Sequence, residues 1–302
     1  MPLKSTKLHR AKRLRNDEFY TQYQDIESEC SNYLEHFFNK VIYCNCDTAD
    51  SNFVKYFKNL KTQGLIKDIL WSGGLNGLDF RSNESIELLK QSDIVATNPP
   101  FSLFIPYINQ LVKYNKQFLI IGNRNAVSYR EVFELIKDNK LWIGTIPFGA
   151  SMLFDVPEPE KLLIQGKENI TYAIKDGIIK ARVPATWFTN IHHKNMPKEI
   201  PLVKQYTGNE TAYPKYDNFD AIEVKCKRNI PYDYMGIMGV PVTFIDRYNP
   251  QQFEILGLDK DFTYDGKSVR IGGKNLYTRI FIRRKCNMSE ASNDNCLLKT
   301  AV

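Results

Sequence analysis

A short run near the middle of the chain, Asn98-Pro99-Pro100-Phe101, combines groups that suit chemistry on an amino nitrogen. The amino group of a nucleobase is a weak nucleophile because its lone pair is delocalised into the ring. Two acceptors aimed at its two N–H bonds would keep the nitrogen partly pyramidal and release that lone pair for attack. The side-chain oxygen of Asn98 and the carbonyl of Pro99 can supply both acceptors. Phe101 adds a ring on which an unstacked base can pack.

The residues before this run predict a buried strand that stops at the two prolines. Ile94, Val95 and Ala96 are apolar, and proline can neither donate to a sheet ladder nor leave its predecessor free to be helical. The backbone from Asn98 onward is therefore expected to be extended and stiff. In α/β folds the region beyond the carboxyl end of a strand is where ligands bind. The alternative is a plain turn from strand to loop.

The same four residues, Asn98 to Phe101, form the catalytic tetrapeptide of amino-group methyltransferases. The chain thus resembles the DNA adenine-N6 methyltransferases that depend on S-adenosylmethionine. The tetrapeptide indicates the reaction better than the substrate, because enzymes that methylate glutamine amides or RNA bases carry close variants.

An earlier strand ends in a carboxylate and is followed by the start of a helix. Residues 41–47 predict the strand, with Asp47 at its end, and Ser51 is expected to cap a helix. A helix N-terminus offers N–H groups and a positive dipole, and the acid suits cationic or hydroxyl groups of a nucleoside cofactor. The expected inward residues of that helix are Phe53, Val54, Phe57 and Leu60.

The glycine-rich loop that usually follows such a strand is missing between Asp47 and Phe53. The pattern Cys44-Asn45-Cys46-Asp47, with Ser51-Asn52-Phe53 and Tyr56-Phe57, is instead similar to the EcoRI-type adenine-specific (N6) DNA methyltransferase family, in which it replaces the glycines. The resemblance implies that Asp47 and Ser51 bind S-adenosyl-L-methionine.

Two further motifs share this resemblance. Phe19-Tyr20-Thr21 looks like the signature that these enzymes place before the sheet, beside the methionine end of the cofactor. The alternative is a helix start capped by Thr21 or Asp25, with Ile26, Tyr33, Leu34, Phe37 and Phe38 at helical spacing. Asp79-Phe80 matches the step that binds the adenine of the cofactor, the carboxylate accepting the amino group and the ring packing on the base. Asp79 could instead cap the helix that runs through Leu88 and Leu89.

Strands and helices alternate from about residue 41 to 145, which indicates a parallel sheet covered on both faces. The remaining expected elements of this part are strand 66–71, helix 102–114, strand 117–122, helix 127–136 and strand 141–144. We therefore predict an α/β fold: a Rossmann-like methyltransferase core with a mixed, mostly parallel sheet. Residues 170–174 and 178–183 predict a hairpin. The family resemblance implies that 187–190 belong to the last core strand.

Aromatic and basic residues are interleaved between residues 200 and 285, where 239–244 and 276–282 predict strands. We predict four parts: a basic arm (1–15), a catalytic core (16–190), a C-terminal α+β target-recognition region (191–285) and a tail (286–302). The arm carries six Lys or Arg residues and no acid, and residues 181–285 hold 17 basic and 11 acidic residues. This distribution suits a polyanion. The alternatives are a solvated tail with ordinary surface lysines and an extension that only closes the core.

Composition favours a globular chain in a reducing compartment. Apolar residues make up 43% and charged residues 25% of the 302 residues, and no apolar run is long enough for a membrane span. The six cysteines have no Cys-x-x-Cys pairs, so Cys44 and Cys46, on one face of the strand, are expected to be buried thiols. His192-His193 is expected to be a polar surface pair. We therefore predict no metal site and a cytoplasmic location in a bacterium or for a phage-encoded protein.

The function expected from these patterns is site-specific methylation of adenine N6 in duplex DNA, on a flipped-out base. The enzyme would serve as the modification enzyme of a type II restriction-modification system, with a separately encoded endonuclease, or as an orphan methylase. Three alternatives stay open: an RNA adenine methyltransferase, a protein-glutamine methyltransferase, and a DNA-binding module without activity.

Overall fold

A computed structural model describes residues 20–73, 79–156, 171–263 and 268–285. The chain divides into two units, the first containing residues up to 136 and 140–195, the second containing 137–139 and the residues from 196 onward. Both combine strands with helical segments in sheets of mixed orientation, which confirms the predicted α/β class. None of the helices in the described segments is both long and apolar enough for a membrane span.

A six-stranded sheet forms the centre of the first unit. Its strands are β2 (Val41–Cys44), β3 (Asp68–Trp71), β4 (Ile94–Thr97), β5 (Gln117–Asn123), β6 (Trp142–Ile143) and β10 (Ala185–Thr189). They lie in the order β3-β2-β4-β5-β10-β6. Only β10 runs against the others, since it pairs antiparallel with both β5 and β6. The sheet is therefore mixed and mostly parallel.

Helices pack on both faces of this sheet. They are α1 (Tyr23–Cys30), α2 (Leu34–Phe37), α3 (Asn52–Thr62), α4 (Asn83–Gln91), α5 (Phe104–Lys113) and α6 (Arg130–Lys137). Ile42 and Cys44 of β2 share an apolar cluster with α1 and α3. Tyr43, which points to the other face because side chains alternate along a strand, contacts the start of α4 through its hydroxyl.

A second sheet in this unit is antiparallel throughout. It joins β1 (Tyr20–Thr21), β7 (Met152–Asp155), β9 (Ile178–Val183) and β8 (Thr171–Lys175), in that order. The hairpin β8–β9 confirms the predicted pair of strands. Asp176 and Gly177 at its turn both have positive φ (53° and 75°), as a type I′ turn requires.

Several boundaries differ from the sequence-based expectation. The strand predicted to end at Asp47 ends at Cys44, and the next residues form a turn, so Cys46 does not share a strand face with Cys44. The helix expected to include Leu34 and Phe38 is two short helices, and both of those side chains are exposed. Helix α1 is capped by Gln22 without a side-chain hydrogen bond, so neither Thr21 nor Asp25 is its cap.

The second unit contains a separate four-stranded sheet. Its order is β11 (Ile222–Glu223), β12 (Met238–Pro241), β16 (Arg279–Arg284) and β13 (Phe253–Leu258). A short hairpin, β14 (Arg270–Ile271) with β15 (Lys274–Asn275), precedes β16. The strands predicted at 239–244 and 276–282 are present with shifted ends, since Val242 begins a 3-10 turn and β16 starts only at Arg279.

Candidate active site

The Asn98-Pro99-Pro100-Phe101 corner lies directly beyond the carboxyl end of β4. Thr97 is fully buried, Asn98 and Phe101 are half-buried, and Pro100 is exposed, so the corner reaches the surface. Pro100 has φ −56° and ψ 124°, which is extended backbone. Phe101 then begins a 3-10 turn that leads into α5, so Pro106 falls in the first turn of that helix, where proline is tolerated.

This position is the switch point of the sheet. The chain leaves β2 to form β3 on one side of it and then crosses over to form β4 on the other side. At such a point the two connections diverge and leave a crevice at the carboxyl edge, where open α/β sheets bind ligands. Asp47 follows β2 and Asn98 follows β4, so the two predicted groups lie beyond the carboxyl ends of adjacent strands, where such a crevice is expected.

Asp47, which follows β2, forms hydrogen bonds with residues at the end of β4. Its buried carboxylate accepts hydrogen bonds from the hydroxyl of Thr97, the hydroxyl of Ser51 and the backbone N–H of Asn98. Burial raises the pKa of Asp47 to about 7, although these three donors act in the opposite direction. The carboxylate therefore contacts the backbone of the predicted catalytic residue itself.

Thr21 holds the same residue from the other side. The side-chain amide of Asn98 donates from Nδ2 to the hydroxyl of Thr21 at 3.3 Å. The backbone carbonyl of Thr21 in turn accepts from Nδ2 of Asn52 at 2.8 Å, at the start of α3. Tyr20, the neighbour of Thr21 in β1, is half-exposed, and Phe19 lies outside the described residues.

Ser51 caps α3 as the sequence predicts. Its Oγ accepts from the N–H of Val54 at 3.2 Å, while its hydroxyl donates to Asp47. All four predicted inward residues of the helix are buried. One serine therefore stabilises both the helix start and the carboxylate beneath the corner.

Asp79 and Phe80 lie beside the turn that follows β2. The Phe80 ring is buried 5.0 Å from that of Tyr107, whose hydroxyl donates to Oδ1 of Asn45. The Asp79 carboxylate is 42% exposed and pairs with the Arg81 guanidinium, which holds the pKa of Asp79 below its usual range. The alternative role for Asp79 as a helix cap is wrong, because Ser82 caps α4 through a hydrogen bond from Ser85 N–H.

The contacts of three residues at the site were not predicted from the sequence. Thr97, Asn52 and Tyr107 each contact a predicted site residue or its turn, and of these only Asn52 belongs to a motif named above. Their roles depend on which strands are neighbours. The chain just after β3 passes so close to Asp47 that residue 73 has to be glycine, since a Cβ on Gly73 would fall 2.5 Å from the backbone oxygen of Asp47.

A buried lysine stabilises the strand that carries Thr21. Lys180 of β9 donates to Oδ1 of Asp155 at 2.8 Å and to the side-chain oxygen of Gln22 at 2.9 Å. Asp155 is the register partner of Tyr20 in β1. Because β1 contains only two residues, this ion pair and the amide are a substantial part of what fixes its position.

The histidine and cysteine predictions have mixed outcomes. His193 is buried with its ring 5.6 Å from that of Tyr33, so the expectation of a surface pair is wrong for this residue, and burial lowers its pKa. His192 is exposed. Cys44 is buried, as expected, and Cys46 is partly buried. Within the described segments, no group of three His, Cys, Asp or Glu residues could hold a metal ion.

Comparison with known proteins places the chain among methyltransferases. The family model described as adenine-specific methyltransferase EcoRI matches residues 7–73 and 63–294. The type II methyltransferase M.EcoRI of Escherichia coli is 44% identical over 92% of this chain and 96% of its own length. The type II methyltransferase M.MpnI of Mycoplasma pneumoniae is 37% identical over 93% and 98%. The chain therefore belongs to the EcoRI-type adenine-specific methyltransferase family.

Membership confirms the family and the enzyme class predicted from the sequence: the protein is a site-specific DNA adenine methyltransferase. A third relative, the type II methyltransferase M.MgeORF184P of Mycoplasma genitalium, is 36% identical over 92% of this chain and 98% of its own length. No solved structure matches the chain at a significant level. The roles of the individual site residues remain predictions.

Proposed function

We propose that this methyltransferase transfers the methyl group of S-adenosyl-L-methionine to N6 of an adenine that is flipped out of duplex DNA. Asn98, Pro99, Pro100 and Phe101 form its catalytic corner. The observation that carries the proposal is the pair of hydrogen bonds that Asn98 donates at the switch point of the sheet. Asp47 accepts from its backbone N–H, and Thr21 accepts from its side-chain Nδ2. The corner is thus preorganised before any substrate arrives.

The hold on Asn98 also orients its amide. With Nδ2 directed to Thr21, Oδ1 points away from Thr21 within the same amide plane, and from there it would accept from the adenine amino group together with the Pro99 carbonyl. Two acceptors on one nitrogen would localise its lone pair, so that the nitrogen could take the methyl group while the sulfonium leaves as a neutral thioether. The amino nitrogen becomes cationic and then loses a proton to water, so neither acceptor has to be a strong base.

S-Adenosyl-L-methionine, when bound, supplies an electrophilic methyl group on a sulfonium. The residues proposed to hold it are Phe19, Tyr20, Thr21, Asp47, Ser51, Asp79 and Phe80. Their chemistry fits the group, because the α3 N-terminus and the crevice at the switch point suit a nucleoside with charged ends. Asp79 is exposed enough to accept an amino group beside its Arg81 partner, since a carboxylate has about four lone-pair sites.

Asp47 has a more restricted role than the sequence suggested. Three protein donors, from Thr97, Ser51 and Asn98, occupy its buried carboxylate. We infer that it contributes to the cofactor site mainly by fixing the turn after β2 and the start of α3. Thr21 likewise acts on Asn98 and Asn52 through its polar groups.

The strand order supports a Rossmann-like methyltransferase core in residues 16–190, with its antiparallel strand β10 next to the last. Residues 191–285 are proposed to recognise the target, and the basic arm 1–15 to bind phosphates, with 286–302 as a tail.

Unstacking the adenine costs a few kcal/mol, and packing on Phe101 with backbone contacts would offset that cost. Because its substrate is genomic DNA, the enzyme is expected to act in the cytoplasm, beside a cognate endonuclease or as an orphan.

Transfer of a tritiated methyl group to DNA, RNA and protein, measured with the full-length enzyme, tests this proposal. We expect label in duplex DNA alone, on adenine N6, and sequencing of host DNA after expression should then give the modified site. Label in RNA or in protein glutamine would show that the substrate is RNA or protein and not duplex DNA. Absence of both transfer and cofactor binding by calorimetry would favour a binding module and contradict the proposal.

A further inference from the structure

One tyrosine of the second unit is far more exposed than the other aromatic side chains of the described residues. Tyr277, which follows the β14–β15 hairpin, is 90% exposed. A single apolar side chain in water is ordinary on a protein surface. Three observations on its surroundings distinguish Tyr277 from such a case.

The backbone of Tyr277 is fixed to the interior of the unit. Nη1 of Arg279 donates to the Tyr277 carbonyl at 3.0 Å. The same guanidinium forms a two-nitrogen ion pair with the buried Glu223, at 2.9 to 3.1 Å, and Glu223 also accepts from the hydroxyl of Tyr216. A buried, fully hydrogen-bonded pair defines geometry well. The ring of Tyr277 therefore extends into solvent from a backbone that is held in place.

The hairpin before it is equally well anchored. Ile271 and Leu276 pack against an apolar cluster of the unit. The Asp217 carboxylate accepts the N–H groups of Gly272 at 3.1 Å and Gly273 at 2.7 Å. Both glycines have positive φ, which the tight turn requires. The segment can present a side chain without a large loss of conformational entropy on binding.

The charge of this segment is one-sided. Residues 270–285 contain six Lys or Arg residues and no Asp or Glu, and two of the six, Arg279 and Arg283, pair with Glu223 and Glu254 of other strands. Lys274 and Asn275 are exposed on β15, two to three residues before Tyr277. A cation, an amide and an aromatic ring on a stiff hairpin are the groups that bind phosphate, a base edge and a base face, respectively.

We propose that Tyr277 stacks on a base of the duplex DNA substrate while Lys274 contacts a phosphate beside it. The proposal rests on the proposed function, because it takes duplex DNA as the partner. A second copy of the chain suits this surface less well, since two such basic segments would repel each other. Every base has a π-face, so stacking on Tyr277 would add affinity whichever base lies against the ring.

The affinity of the full-length enzyme for a short fluorescein-labelled duplex that contains a methylated site from host DNA tests the proposal. Tyr277→Ala should weaken binding about tenfold, the loss typical of one stacked base. Tyr277→Phe, which keeps the ring, should bind as tightly as the wild type. Tyr129→Ala, a half-exposed tyrosine of the first unit, is the matched control and should change nothing. The melting temperature should not change in any of the three variants.

The salt dependence separates stacking from charge. Lys274→Ala should reduce the slope of log affinity against log salt by about one, whereas Tyr277→Ala should leave the slope unchanged. Unchanged affinity of Tyr277→Ala, or a Phe variant as weak as the Ala variant, would overturn the proposal. The proposal would also be overturned if Tyr277→Ala changed the oligomeric state in sedimentation while its DNA affinity stayed that of the wild type. If the wild type neither binds nor methylates duplex DNA, the proposed function itself has failed.

Discussion

The hydrogen bonds around Asn98 are made by residues from three different elements. Asp47 follows β2, Thr21 lies in β1, and Thr97 ends β4, and each reaches the corner through one polar group. The contacts are made by hydroxyl groups, a side-chain amide, a backbone N–H and one buried carboxylate. Such an arrangement fixes geometry while leaving the acceptors of the corner electrically neutral.

Thr21→Val tests the orientation of the Asn98 amide. The valine keeps the shape but removes the hydroxyl that accepts from Nδ2, so one hydrogen bond that orients the amide is lost. We expect kcat to fall about tenfold, the value of one hydrogen bond in the transition state. Thr21→Ser should restore the rate. Equal kcat values for the Val and Ser variants would show that the hydroxyl has no part in positioning Asn98.

Asp47 gives a pH dependence of stability with a defined sign. Its folded pKa, about 7, lies above the ordinary value of 3.8, so between these values the folded state binds more protons than the unfolded state. Stability from this group is therefore full at low pH and is lost as pH rises from about 4 to about 7. Asp47→Asn should remove that loss, roughly 2–4 kcal/mol across the window. Denaturant unfolding of both proteins at several pH values measures the difference, and parallel curves would contradict the account.

Among elements, the start of α3 combines two tasks in Ser51. It caps the helix by accepting from Val54 N–H and also donates to Asp47, whereas Ser82 caps α4 by accepting from Ser85 N–H. Ser51→Ala and Ser82→Ala should each cost about 1 kcal/mol of stability. Only Ser51→Ala should also lower the methyl-transfer rate. Equal effects of the two variants on rate would show that the cap acts through stability alone.

The elements that local pattern defines were predictable from the sequence. The apolar run 94–96 before two prolines, the Ser51 cap and the Asp176-Gly177 turn are each specified by their own residues. The end of β2 and the roles of Thr97, Asn52 and Tyr107 were not predictable, because they depend on neighbours far away in the chain. His193 was misassigned for the same reason, since only the fold brings Tyr33 over it.

At the scale of the whole molecule, charge is distributed unevenly along the chain. The 15 N-terminal residues carry six basic side chains and no acid, and residues 16–180 carry more acidic than basic groups. A polyanionic substrate is therefore attracted to the arm and to the second unit more than to the region around the catalytic corner. Under the proposed function, base insertion would then depend on the fit at Asn98 rather than on net attraction.

Deletion of residues 1–15 tests the contribution of the arm. If all six charges contact phosphates, the slope of log affinity against log salt should become shallower by about 5, because fewer counterions are released. Affinity at low salt should fall, whereas cofactor binding and the melting temperature should stay the same. Fluorescence anisotropy titrations at several salt concentrations provide the slope. An unchanged slope would mean that the arm does not contact DNA.

The most direct test of the central claim is single-turnover methyl transfer by Asn98→Ala, measured beside calorimetric binding of S-adenosyl-L-methionine to the same variant. The account predicts a rate at least about 100-fold lower, because an acceptor for the adenine amino group is gone. It also predicts nearly wild-type cofactor affinity. A rate close to that of the wild type, or a loss of cofactor affinity that accounts for the loss of rate, would contradict it.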